Sequence, residues 1–333
     1  MPRRRTRDPR PKTKDQRLRA KAKAKAHSAP TVGVLGLGIM GGAMAANLVR
    51  RGFAVVGYDR LPEPRRALTR AGGKVVDSAG AAATVEVVIT SLPSSEALLA
   101  VAEELSGLKA KGQGLKAKWI LETSTLPLAT KELARTQLAA AGIALLDCPL
   151  SGTGAQARTG DLVVYASGDR AACRRVSPVF EGFARAHYYV GPFGAGSKTK
   201  FIANLLVGIH NVASAEAMVL AMKAGLDPAL VLKVVAEGVG SSRVLQLRGP
   251  MMVKGDYTRA TMKLAMWKKD MTIISEFAAA VGCPVPMFSA AVPVYESALA
   301  TGHGAEDTAA VCAVLERLAK ARRRSINLVL LTP

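Results

Sequence analysis

Thr31-Val-Gly-Val-Leu-Gly36-Leu37-Gly38-Ile39-Met40-Gly41 runs straight into a stretch that places Met40, Met44, Leu48 and Val49 on one side of a helix. Its first six residues read as a short apolar strand, and Phe53-Ala-Val-Val-Gly-Tyr-Asp59 reads as a second. A strand, a glycine turn, a helix and a strand within about 30 residues make the βαβ unit of a parallel sheet. In the spacing Gly36-x-Gly38-x-x-Gly41, the first glycine permits a tight turn and the second lets the backbone approach a pyrophosphate. The third lets the helix pack on the strand, and the helix N-terminus offers N–H groups to the phosphates. Asp59, eighteen residues beyond Gly41, sits where an acid accepts hydrogen bonds from a ribose 2′-OH, which favours NAD. Arg60 beside it can instead meet a 2′-phosphate, so NAD and NADP both stay open.

Outward from this unit the alternation continues. Val85–Thr90, Trp119–Thr123, Ala144–Asp147 and Leu162–Ala166 read as strands, with helical segments between several of them. The pattern predicts an α/β fold, a Rossmann-type doubly wound parallel sheet. From about Gly194 the strands stop. Ser197 to Ala224 contains no proline and one glycine, so it reads as a single long helix. Helices follow over about 228–236, 242–253, 261–281, 285–300 and 305–322, separated by Gly225, Gly238-Val-Gly240, Gly282-Cys-Pro284 and Gly302. The chain therefore divides into a basic arm (1–29), a NAD(P)-binding domain (30–192) and an all-α C-terminal domain (193–325).

The chain has 333 residues, 49% of them hydrophobic and 5% aromatic, so its large core is built from aliphatic side chains. No apolar run approaches about 18 residues, which predicts no membrane span and a soluble, cytoplasmic protein. Cys148, Cys173, Cys283 and Cys312 form no CxxC pair, and the four histidines show no metal-ligand spacing. A reducing compartment and no metal are expected. Of the formal charge of +21, the arm carries +10, with twelve Lys/Arg in residues 1–26 against Asp8 and Asp15. With one Leu and no aromatic residue, it cannot fold alone. It reads as a solvated tail; contact with nucleic acid, an organelle transit peptide and a start codon placed too early are the alternatives.

Two further constellations carry chemistry. In Gly194-Ala-Gly196-Ser-Lys198-Thr-Lys200-Phe-Ile-Ala-Asn204, Lys200 and Asn204 are four apart and stack on one helix face. A lysine at a helix start is disfavoured as ammonium by the helix N-terminus and by desolvation, which suits it to exchange a proton with an alcohol or carbonyl. Asn204 can hold the amine or the substrate oxygen; by spacing alone, a surface lysine with a polar neighbour is the better reading. Asp147-Cys-Pro-Leu-Ser151-Gly152-Thr153-Gly154-Ala155 ends a strand in a hydroxyl- and glycine-rich turn that suits a carboxylate but alone reads better as an ordinary turn. Glu122-Thr-Ser124-Thr125 repeats the idea, and the place of both after strand carboxyl ends favours a ligand.

Together these residues resemble the β-hydroxyacid dehydrogenases, the group of 3-hydroxyisobutyrate dehydrogenase and tartronate semialdehyde reductase, over about residues 31–320. Four motifs occur in the family's order: Gly36 to Leu48, Asp147 to Thr153, Gly194 to Asn204, and Lys269-Asp270. The resemblance implies Lys200 as catalytic lysine and Asn204 as the asparagine that helps place substrate. It implies Ser124, Ser151, Gly152 and Thr153 at the substrate carboxylate, Leu92-Pro93 as a cofactor-contacting turn, and Lys269 at the cofactor end of the cleft. It further implies a 6-phosphogluconate dehydrogenase-like helical domain that takes part in subunit contacts, hence a homodimer or homotetramer, and a small carboxylate substrate without metal. Two positions depart from the pattern: Ala203 stands for the first asparagine of a pair, and Thr153 for a glycine. The alternatives within catalysis are an imine or phosphorylated-sugar-acid reductase; outside it, a non-catalytic nucleic-acid-associated relative.

Overall fold

A computed structural model describes residues 30–321 and 323. The basic arm lies outside the described residues. The strands are β1 (Val32–Leu35), β2 (Val55–Tyr58), β3 (Lys74–Val75), β4 (Val87–Thr90), β5 (Trp119–Glu122), β6 (Ala144–Asp147), β7 (Leu150–Ser151), β8 (Val163–Ser167) and β9 (Ala186–Gly191). They form one sheet in the order β3-β2-β1-β4-β5-β6-β8-β7, with β9 also paired to β8. Strands β1 to β6 run parallel, β8 is antiparallel to β6, and β9 is parallel to β8. The chain crosses from β3 to β4 over β1 and β2, so the switch point lies between β1 and β4, where the glycine turn leaves the sheet.

The near-continuous apolar strands are explained by burial on both faces. Val32, Val34, Val87, Ile89, Leu121 and Leu146 join one core, under the helices Ile39–Arg50 and Ser177–Phe183. Their strand neighbours Leu35, Val88, Ile120 and Leu145 join another, under the helices Ser95–Ala110 and Leu128–Ala140. Alternation with period two thus sends successive residues into two different cores. The two-residue strands β3 and β7 and the six-residue β9 are additional to the sequence expectation.

Beyond β9 the chain is helical: Ala195–Lys223, Pro228–Glu237, Arg243–Lys254, Leu264–Ala280 and Pro286–Ala300. The long helix Ala195–Lys223 is apolar enough to cross a membrane by length and composition, with mean hydropathy 1.6. Its Phe201, Val212, Ala215, Met218 and Val219 instead bury into a third core with Trp267, Phe288 and Tyr295. The single helix expected over 305–322 is replaced by two 3-10 turns (His303–Ala305, Thr308–Ala310) and a shorter helix, Val311–Ala319. Asp307 causes the break. Its buried carboxylate pairs with Arg248 (3.1 Å) and accepts from the backbone of Thr261, Met262 and Ala309. These same bonds hold residues 261–263 out of the helix expected from 261, which begins at Leu264.

Candidate active site

The glycine turn fits a dinucleotide in three distinct ways. Gly36 has φ +87°, and a Cβ there would lie 2.2 Å from the Ser91 carbonyl oxygen. A Cβ on Gly41 would lie 1.9 Å from the Gly36 oxygen, so helix and strand are in close approach. At Gly38 a Cβ would meet nothing within 4 Å. That open side lies at the N-cap of the helix Ile39–Arg50, which no side chain caps, leaving its first N–H groups for an anion. Ile39 is 70% exposed at this edge, and Met40 is half-buried behind it.

Asp59 does more here than the sequence suggested. Its Oδ2 accepts from the Leu37 N–H at 2.7 Å and its Oδ1 from the Leu61 N–H at 2.8 Å, so it braces the glycine turn. Each oxygen keeps a further lone pair for a ribose hydroxyl. Arg60 is exposed beside it. Arg65, which the sequence reading missed, donates to the Asp59 carbonyl and lies 4.9 Å from the Tyr58 ring centre. Leu92 ties this end to the next strand, its N–H donating to Ser124 Oγ at 2.8 Å; Pro93 is exposed.

Under the carboxyl ends of β5 and β6 sits a buried polar network, also missed. Lys131 is wholly buried and donates to the Ser124 carbonyl (2.7 Å) and to Asp147 Oδ1 (2.9 Å), with Glu122 Oε1 at 3.9 Å. Glu122 in turn accepts from the Ser124 N–H at 2.7 Å and from Thr90. Asp147 accepts from Ser197 twice, from its N–H (2.7 Å) and its hydroxyl (2.8 Å). It thereby anchors the first turn of the long helix. Ser167 adds a bond from the Gly196 N–H at 2.9 Å. Ser124 and the lysine helix are therefore held by one cation and two carboxylates.

Three residues after Ser197 comes Lys200. Burial lowers its ammonium to about 8; Asp270 opposes the shift and Lys269 adds to it. Asn204, one turn on, is buried and donates from Nδ2 to Asp270 Oδ2 at 3.0 Å. Lys269 donates to Asp270 Oδ1 at 2.7 Å and to the Thr125 carbonyl, next to Ser124. The helix Leu264–Ala280 thus reaches across to the sheet, and Asp270 bonds Lys269 and Asn204 while its charge acts on Lys200. Ser151 lies on β7, and Gly152 follows it with φ +135°. Thr153 is the N-cap of the helix Gly154–Thr159 in a reciprocal capping box with Gln156. Its hydroxyl is engaged there, which gives the departure from glycine a structural reason.

The glycine-turn end, Ser124 and the helix that carries Lys200 are joined by hydrogen bonds through Leu92, Lys131 and Asp147. Residues 31–191 match the family model of the NAD binding domain of 6-phosphogluconate dehydrogenase. Residues 194–315 match the model of the NAD-binding domain of NADP-dependent 3-hydroxyisobutyrate dehydrogenase. L-threonate dehydrogenase of Cupriavidus necator is 34% identical over 282 residues, 84% of this chain and 94% of that protein. The chain belongs to the β-hydroxyacid dehydrogenase family. It is an NAD(P)-dependent hydroxyacid oxidoreductase. The 2-(hydroxymethyl)glutarate dehydrogenase of Eubacterium barkeri is 28% identical over 86% of this chain and 95% of its own length. Among solved structures, a Mycobacterium tuberculosis 3-hydroxyisobutyrate dehydrogenase with L-serine superposes with TM-score 0.76 at 28% identity, covering 86% of this chain and 99% of that one.

Proposed function

We propose that Lys200 is the general acid/base of this oxidoreductase, exchanging a proton with the hydroxyl of a small β-hydroxy acid. The observation that carries the proposal is a half-buried lysine brought to about 8 by desolvation, on a helix pinned to the same network as Ser124. A dinucleotide on the glycine turn supplies the hydride acceptor in oxidation and the donor in reduction. Neutral Lys200 takes the hydroxyl proton in oxidation, and its ammonium returns it in reduction. Asn204, turned by Asp270, holds the substrate oxygen near the amine. Ser124, Ser151 and the Gly152–Thr153 backbone receive the carboxylate, fixing the reacting carbon in one orientation. Because both Asp59 oxygens are already bonded while retaining ribose capacity, NAD is the favoured cofactor. Arg60 and Arg65 leave NADP as the comparison to run.

The long helix exposes Ile202, Leu206 and Leu220, and Leu230 and Val234 follow on the next helix. This apolar surface supports a homodimer or homotetramer, checked by sedimentation. The four cysteines are unpaired, in keeping with a reducing, cytoplasmic setting. The test of the central proposal is Lys200→Ala. Oxidation of short hydroxy acids such as L-threonate and 3-hydroxyisobutyrate should fall by about 10²–10⁴, with NADH affinity within twofold of wild type. Turnover near wild type refutes the role of Lys200.

A further inference from the structure

A cavity of about 390 Å³ opens between the helix Gly154–Thr159 and the loop 258–263 of the helical part, with Ile39 of the glycine turn on its floor. Three cations line it, Arg158, Arg259 and Lys263, and none of them has a carboxylate within salt-bridge reach among the described residues. Two acids border this loop, and one of them, Asp256, interacts with Arg259 beyond salt-bridge reach. Asp256 is bonded by the Thr258 N–H (3.0 Å) and hydroxyl (2.6 Å). Asp307 is buried and paired with Arg248. Asp256 offsets part of the charge at Arg259, and against three cations the lining keeps an excess of positive charge.

The loop bearing two of these cations is pinned. Thr261 gives both its N–H (2.6 Å) and its hydroxyl (2.8 Å) to Asp307, and Lys263 pairs with Asp307 as an antiparallel bridge. Two of its lining residues adjoin, in the chain, elements that carry the proposed substrate and lysine residues. Gly154 directly follows the Gly152–Thr153 turn, and Lys263 caps the helix that carries Lys269 and Asp270. An apolar floor under a cationic rim suits an aliphatic chain that ends in an anion.

We infer that this cavity receives the far end of the substrate, and that this end is a second anionic group, so the preferred hydroxy acids are dianions. The inference rests on the proposed hydroxy-acid chemistry for its orientation, with the first carboxylate at Ser124 and the Ser151–Thr153 turn. Arg158, Arg259 and Lys263 then act as specificity-determining residues.

Two five-carbon probes that cannot react, glutarate with two carboxylates and valerate with one, measure the site without turnover. Calorimetric titration into the NAD-saturated full chain at low ionic strength should show glutarate binding at least tenfold tighter than valerate. In the variant Arg259→Ala/Lys263→Ala that advantage should vanish while valerate binding is unchanged, and Arg158→Ala should reduce it in part. NADH affinity of each variant should stay within twofold of wild type. Equal binding of the two probes by wild type overturns the inference, as does an advantage that survives the double variant. A fivefold or greater loss of NADH affinity with probe binding unchanged also overturns it, by assigning the cations to the cofactor phosphates. Discrimination between probes in a protein that oxidises no hydroxy acid would leave the anion site standing and defeat the proposed reaction instead.

Discussion

Replacing Lys131 by methionine removes one charge and keeps most of the side-chain volume, so the cavity contribution is small and the electrostatic one dominates. Lys131 is wholly buried with Glu122 and Asp147, and its ammonium gives hydrogen bonds at 2.7 and 2.9 Å. Taking away one partner of a buried ion pair leaves uncompensated charge and costs roughly 3–5 kcal/mol. The variant should therefore unfold at clearly lower urea or temperature than wild type. Asp147→Asn should be milder than Lys131→Met, because the amide retains an acceptor for the Ser197 bonds. The two substitutions together should cost less than their sum, a coupling that the double-mutant cycle measures directly. Activity carries the more specific expectation. The same lysine holds the Ser124 carbonyl and, through Asp147, the turn before Lys200. A displacement of about 1 Å at a reacting group can cost 10²-fold. Under conditions where Lys131→Met remains folded, kcat should fall at least tenfold while NADH binding at the glycine turn is preserved. A cost below about 1 kcal/mol, or full kcat in the folded variant, refutes this account of the network.

In wild type, kcat for oxidation should rise with pH through about 8 and the reductive direction should fall over the same range, because neutral Lys200 is the base and its ammonium the acid. Asp270→Asn removes the charge that raises Lys200, so the rising limb moves to lower pH; Lys269→Met removes a charge that lowers it and moves the limb to higher pH. Equal shifts in the same direction would contradict the assignment. Gly38→Ala meets no atom and should leave thermal unfolding unchanged while weakening NADH binding at least tenfold. Gly41→Ala, 1.9 Å from a backbone oxygen, should lower the unfolding temperature itself.

What was legible in the chain depended on how far apart the partners lie. The glycine turn, its strands and its helix are local, and composition and spacing carried them to within a few residues of β1, β2 and the helix Ile39–Arg50. The strands β3 and β7 have two residues each, too few for any periodicity to register, and β9 exposes Tyr188 and Tyr189 where a buried run would be expected. The capping box Thr153-x-x-Gln156 was written in the sequence and was the available sign that Thr153 has a local task. The break before Val311 was not, since the donors that Asp307 gathers come from residues about 45–60 positions upstream.

The same distance argument explains why the lysine was found before the groups that tune it. Lys200 and Asn204 are visible as a one-turn pair, but the chemistry of that pair is set by Asp270, which lies 66 residues from Asn204. Its orientation is set by Asp147, 50 residues from Ser197. Neither carboxylate announces itself as a partner by spacing; each becomes one only when the sheet end and two helices close on the same point. Desolvation lowers Lys200 first of all, Asp270 opposes it and Lys269 reinforces it, so two neighbours on one helix adjust a proton affinity set mainly by burial. That helix also touches the sheet through the bond from Lys269 to the Thr125 carbonyl. Lys269 is thus shared between the field at Lys200 and the contact with the sheet.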